Sequence, residues 1–219
     1  MKVLKNIFST SQKRSETLKV IAILSMVVDH IGFGFFPAVP IFRIIGRIAM
    51  PVFAFGIAEG YHYTSDLKKY ITRLTIFGLV AQVPFIFFFN MFELNIIFTL
   101  AFSLYFIYFI DKKKYFWAGA ILLLLAFIPI EYGIYGILTA WIFYQFRGQE
   151  VKILLAQSIL ILTNFVFNLV FVQLFAILGV LIILFFPKEK FKIYLHKQFF
   201  YWFYPVHLLI LFFIKLIFF

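Results

Sequence analysis

From Ile153 to Phe186 the chain runs without a single Asp, Glu, Lys or Arg. As one helix that stretch would reach about 50 Å, at a rise of about 1.5 Å per residue. The hydrocarbon of a bilayer is only about 30 Å thick, which roughly 20 helical residues cross. Asn164 and Asn168 mark a tight turn near the middle of the run and make it two crossing segments. An unpaired backbone amide in hydrocarbon costs several kcal/mol, so a chain that crosses lipid is a helical bundle or a closed barrel. Unbroken apolar runs, rather than alternation, select helices. The rest of the chain agrees: 64% of its residues are hydrophobic and 13% charged, with 35 Phe, whereas a soluble chain carries about 25% charged residues. Soluble classes are excluded.

The same reasoning divides the chain into about nine spans, near 18–36, 43–63, 70–89, 95–110, 115–130, 133–146, 152–168, 170–186 and 200–219. The fifth and sixth are short. They are either tilted partners in a thin hairpin around Pro129-Ile130-Glu131-Tyr132-Gly133, or one of them does not cross fully. Residues 1–17 form a basic polar segment. The first span carries Asp29 and His30, a pair that the apolar region of a cleavable signal peptide would not contain, so it reads as a retained span.

Loop charges give the orientation, because cytoplasmic loops collect Lys and Arg. With the N-terminus inside, the inner turns hold Lys2, Lys5, Lys13, Arg14, Lys19, Lys68, Lys69, Arg73, Lys112, Lys113, Lys114, Arg147, Lys152, Lys188, Lys190, Lys192 and Lys197. Those are 17 of the 20 basic residues, and the alternate turns hold none. The expectation is an all-α integral membrane protein, residues 1–219 forming one transmembrane domain of about nine helices, N-terminus cytoplasmic, C-terminus outside, in the cytoplasmic (inner) membrane. The net charge of +11 fits this topology and anionic lipid better than nucleic acid.

Ionisable residues inside the spans carry the functional signal, since a charge near the bilayer centre costs at least about 2.5–3.5 kcal/mol and usually faces a partner or a cavity. Asp29 and His30 lie in the outer half of the first span. Adjacent helical positions diverge by about 100°, so the two need not meet each other. Arg43 and Arg47 share one face at the outer end of the second span, at matching depth. An ion pair from Asp29 to one arginine would leave the other to grip an anionic group bidentately. Near the inner end of that span, Glu59 and His62 approach Lys68, Lys69 and Arg73; this group either reads cytosolic phosphate or is a helix-end salt bridge. Gln82, Asn90, Glu93, Asn95, Glu131, Tyr132, Tyr135, Asn164, Asn168 and Gln173 supply polar groups in the outer half. His207, after Pro205, reads as a structural histidine, and His196 as a loop residue without a specific role.

Several chemistries have no motif here. Without cysteine there is no disulfide, thiolate nucleophile or Cys-ligated metal. The four histidines fall in different segments with no HExxH spacing, so no metal site is expected. No GxSxG, Walker loop or GxGxxG is present.

The strings LKVIAILSMVVDHIG (18–32), FRIIGRIAMPVFAFGIAEGYHYT (42–64), KKYITRL (68–74), NIIFTL (95–100) and EYGIYGIL (131–138), with YPVHLLIL (204–211), together resemble the TraX family of integral-membrane acetyltransferases, named for the conjugative pilin acetylase. That family is similar to the wider group of multi-span acyltransferases that use acyl-CoA, in which an intramembrane histidine on the first helix acts as base. The resemblance implies acetyl-CoA as cytosolic donor and His30 as base. It also implies a peptide or small-glycan acceptor at the outer side, through an amino group in preference to a hydroxyl. In that frame Asp29 raises the basicity of His30 or orients it, and Arg43 or Arg47 stabilises the oxyanion. Lys68, Lys69, Arg73, Glu59 and His62 hold the donor, while Glu131, Tyr135, Asn95 and Gln82 meet the acceptor. Two other readings stay open. One is a small proton-coupled transporter with Asp29, His30, Glu59 and His62 as its relay; against it, no second copy of the DHIG or RIxGRIA pattern marks an inverted repeat. The other is a noncatalytic membrane assembly protein.

Overall fold

The computed structural model of the protein describes residues 16–185 and 197–218. Lys2, Lys5, Lys13, Arg14, Lys188, Lys190, Lys192, His196 and Phe219 lie outside them. Helices follow one another with short turns: α1 Glu16–Phe35, α2 Pro40–Gly46, α3 Ala49–Tyr63, α4 Leu67–Phe89, α5 Ile96–Asp111, α6 Tyr115–Leu125, α7 Gly133–Gln145, α8 Glu150–Asn168, a 3-10 turn Phe171–Phe175, α9 Ala176–Phe185 and α10 Lys197–Phe218. Among the described residues the only extended pairing is a bridge between Leu94 and Ile130. Among the described residues, five segments are long and apolar enough to cross a membrane: α1, α2 with α3 taken together, α4, α8 and Phe199–Phe218 of α10.

Local chemistry explains where these helices start, bend and stop. Pro37 follows the end of α1, and Pro40 opens α2 at a position where the missing N–H is no loss. The span 40–63 is broken at Arg47 and Ile48. Four residues on from Arg47 stands Pro51, which has no N–H to return to the Arg47 carbonyl and whose ring crowds it. The Asp66 side chain caps α4 by accepting from Lys69 N at 2.9 Å, and Asn95 caps α5 by accepting from Ile97 N at 3.0 Å. The charge-free run turns just after Asn168, where Leu169 closes α8 with φ at 55°.

Large side chains point outward in a way that water would not tolerate. Phe92, Phe116, Phe127 and Phe167 are 79–85% exposed, an apolar surface suited to acyl chains as solvent. Inward, α1 packs on α2 and α3, α4 on α5 and α10, and α3 on α7 and α9. Met50, Phe85, Phe88, Leu104, Phe143 and Leu208 fill the centre. At the lysine-rich end, Asp111 of α5 accepts from Tyr144 Oη of α7 at 2.6 Å and from Tyr61 Oη of α3 at 3.1 Å. The Tyr144 hydrogen bond, chiefly, holds the Asp111 carboxyl below the usual carboxylate range.

The pair α6 and α7 corresponds to the two short spans. With 11 and 13 residues, they are about 16 and 20 Å long, too short to cross upright. Their connecting turn, with Phe127 on its outer side, is one where bare backbone polar groups would be costly in hydrocarbon. Leu94 N donates to Pro129 O at 3.0 Å and Glu131 N to Leu94 O at 2.9 Å, so the 90–95 turn satisfies the 126–132 turn. This interlock sets Glu131, Tyr132 and Tyr135 facing α1 and α2.

Candidate functional site

The two neighbours in sequence, Asp29 and His30, part company in space, as their 100° offset on α1 requires. Both are buried, at 7% and 4% exposure. Asp29 turns to α2 and takes both arginines: Arg43 Nη1 reaches Oδ2 at 2.6 Å and Arg47 Nη2 reaches Oδ1 at 2.8 Å. Arg47 sits in the break between α2 and α3, where its Nε donates to the Arg43 carbonyl at 3.3 Å and its Nη1 to Gln173 Oε1 at 3.3 Å. The guanidinium of Arg43 lies over the Phe33 ring and that of Arg47 over Tyr132. Two cations on one anion leave a net positive centre, buried and fixed by charge-assisted bonds. The sequence-based expectation of one paired and one unpaired arginine is corrected: a single carboxylate, with an oxygen for each, satisfies both.

The close fit has a backbone cause. Gly46 stands against Asp29, and a Cβ there would lie 2.0 Å from Oδ1. Only glycine lets the turn of α2 approach the carboxylate.

His30 turns instead to α10, where its Nδ1 lies 2.8 Å from His207 Nε2. His207 Nδ1 lies 2.8 Å from the Phe203 carbonyl. A carbonyl can only accept, so with both rings neutral the tautomers follow in sequence. His207 Nδ1 carries its hydrogen, His207 Nε2 accepts, His30 Nδ1 donates, and His30 Nε2 keeps its lone pair. The expected partner of His30, Asp29, is replaced by a second histidine 177 residues away. Phe88, Phe89 and Tyr204 enclose the pair, with Phe89 edge-on to His30 at 5.2 Å.

Two cavities flank this pair and share no lining residue. One, of about 600 Å³, is walled by Asp29, Arg43, Arg47, Glu93, Glu131, Tyr132, Tyr135, Gln173 and the ring of Phe89. The other, of about 250 Å³, lies toward the lysine-rich end between α1, α3, α4, α5 and α10, with Lys19 and Arg73 on its wall among mainly apolar side chains. Its deep wall is made by Phe203 and Tyr204, the residues that touch His207 and His30. The histidine pair thus stands between the two chambers and lines neither.

The remaining candidates divide. Tyr135 and Glu131 line the larger cavity. Gln82 and Asn95 do not: Gln82 Nε2 donates to the Glu93 carbonyl at 2.7 Å, and Asn95 Nδ2 to Gly78 O and Gln82 Oε1 at 2.8 Å each. These amides hold the 90–95 turn onto α4. Arg73 is exposed and lines the smaller cavity, but Lys68 and Lys69 point to solvent. Glu59 is buried and held by Arg147, Nε to Oε1 at 2.7 Å and Nη2 to Oε2 at 3.2 Å, and Arg147 also donates to Tyr63 Oη at 2.9 Å. For Glu59 the structure shows a helix-end ion pair, away from both cavities. His62 is exposed beside Tyr63. Sequence reasoning missed Lys19, counted only as topology, and the pairing of His207. The signal for the second was available in Pro205 and His207 placed inside an apolar run. Among the described residues no group of three His, Cys, Asp or Glu side chains converges as a metal site would require.

Comparison with known proteins adds the family. A profile of the TraX family, described as TraX protein, matches residues 14–215. An uncharacterized protein of Rickettsia prowazekii is 31% identical over 169 residues, covering 73% of this chain and 66% of its own length. A probable fimbrial assembly protein FimC of Dichelobacter nodosus is 38% identical over 72 residues, 31% of this chain and 29% of that protein. The chain therefore spans just under two thirds of the first relative and under a third of the second. No solved structure matches.

Proposed function

The chain belongs to the TraX family and is a multi-pass membrane protein; from that membership we propose that it is a membrane-embedded acyltransferase. It takes an acetyl group from acetyl-CoA at the lysine-rich, cytoplasmic side. It delivers that group, by direct transfer, to an amino group of a peptide such as a pilin N-terminus at the opposite side. The observation that carries the reading is the placement of His30: a buried imidazole between two cavities, with Nδ1 fixed by His207 and Nε2 left as a base. The relative named for fimbrial assembly supports a pilus subunit as the acceptor class.

In this mechanism His30 Nε2 takes the proton of the attacking amine and returns it to the leaving thiolate. An imidazole nitrogen with a free lone pair can take a proton in one step and give it back in the next. Lys19 and Arg73, on the wall of the smaller cavity, hold the donor's phosphates. The larger cavity, with Glu93 and Glu131 opposite the Asp29 cluster, admits the acceptor. The arginines act on Asp29 and Gln173, fixing the break between α2 and α3 and so the cavity wall.

The test is turnover of labelled acetyl-CoA with an amino-terminal pilin peptide, using purified protein in nanodiscs. His30→Ala abolishes transfer while the protein still inserts and elutes as a folded species; transfer undiminished in that variant removes His30 as the base.

A further inference from the structure

Tyr204 has a hydroxyl that the fold does not use. The residue is 5% exposed and its Oη makes no hydrogen bond among the described residues. The polar groups that influence the oxygen from nearby are the Glu131 carboxylate, Tyr132 and the Ile96 backbone amide. That amide is itself a donor, and it already goes to Glu131 Oε2 at 3.0 Å. Among the described residues no acceptor comes within hydrogen-bond distance of the Tyr204 hydroxyl. Buried polar hydrogens are almost always paired, and an exception calls for an explanation.

Its location supplies one. Tyr204 forms part of the deep wall of the smaller cavity, together with Ile96 and Phe203. Its ring stands 6.4 Å from that of His30 and 5.5 Å from that of His207. Seven residues into α10 from Lys197, it lies about 10 Å deeper than the start of that helix. A linear arm entering past Lys19 and Arg73 would end at this hydroxyl, beside the base. The arginines expected to steady negative charge in the reaction are bound to Asp29 in the other chamber, so that duty has no other occupant here.

We propose that Tyr204 is a catalytic residue whose hydroxyl donates to the carbonyl oxygen of an acyl thioester bound in the smaller cavity. The inference rests on the acyltransferase reading above. The acceptor nitrogen comes from the larger cavity past the ring of Phe89, which lines that cavity and stands edge-on to His30; it attacks the thioester carbon and a carbon–nitrogen bond forms. The carbonyl electron pair moves onto oxygen, where the Tyr204 O–H meets it, and His30 Nε2 takes the amine proton. When the carbonyl re-forms, the carbon–sulfur bond breaks and the thiolate receives the proton back from His30. Because the hydroxyl is already desolvated and aimed, it needs no rearrangement as charge develops.

Tyr204→Phe removes only the oxygen and leaves the ring packing. In nanodiscs, its turnover number falls by about 10²–10³-fold, the range for loss of one oxyanion donor, with the KM for acetyl-CoA unchanged and the melting temperature equal to or above that of the parent. A second readout does not need turnover: the infrared band of acetyl-CoA labelled at its carbonyl carbon. Bound to the parent protein the band moves to lower frequency than in water-free solvent, and the shift is lost in Tyr204→Phe while persisting in Lys69→Ala. An identical band in parent and Tyr204→Phe overturns the role of Tyr204 and leaves the acyltransferase reading standing. Absence of acetyl-CoA binding to the parent protein overturns both.

Discussion

At the scale of single residues the site turns on which neighbour each buried ionisable group selects. His207 gives His30 an acceptor that fixes its tautomer, the duty a carboxylate performs in a Ser-His-Asp triad. His207→Leu therefore lowers the turnover number by about 10²-fold, within the range for general base catalysis, with the KM for the donor unchanged. His207→Gln, whose carboxamide oxygen can still accept from Nδ1, keeps part of the rate and shifts the pH profile. Equal losses and an unmoved profile in both variants would mean that His207 only packs. The sequence shows that Asp29, His30, Arg43 and Arg47 lie at one depth, because a charge in lipid needs a partner. It does not show that Asp29 and His30 serve different helices, since the choice depends on side chains up to 177 positions away. Nor does it separate Gln82 and Asn95 from the cavity-lining residues, because an amide that ties down a turn and one that binds a ligand look alike as letters.

Among the elements, the broken span of α2 and α3 is the one that shapes the site. Pro51 breaks it, Arg47 occupies the break, and Gly46 lets the turn press on Asp29. Gly46→Ala forces a methyl group to within 2.0 Å of Asp29 Oδ1, so the carboxylate or the α2 turn must move. Overpacking of this kind costs about 1–3 kcal/mol. The expected result is a lowered thermal midpoint, with transfer reduced as far as by Asp29→Asn; a melting curve and rate matching the parent would show that α2 yields without disturbing the pair. The helical segments themselves are legible from hydropathy, within a few residues at each end. The break at Arg47 is not, because proline near the start of a helix is ordinarily harmless. The depth of the α6–α7 turn is undecided by sequence because its backbone partners come from the separate 90–95 turn.

For the molecule as a whole, the segregation of Lys and Arg predicts orientation, and the lack of cysteine makes that prediction convenient to test. A single cysteine at Lys113 should react in intact spheroplasts only with a membrane-permeant reagent, and one at Phe92 also with an impermeant one. The reverse pattern would turn the protein over and exchange the sides assigned to donor and acceptor. The division into two chambers was not foreshadowed by the sequence, which lists cavity-lining aromatics and core aromatics in the same alphabet. It emerges only when Phe88, Phe89, Tyr204 and the two imidazoles assemble into a partition. That partition has an energetic consequence for the cell that houses it. If donor and acceptor arrive from opposite compartments as proposed, the partition among the described residues keeps the two chambers apart, and the electrochemical gradient across the bilayer would survive each round of chemistry.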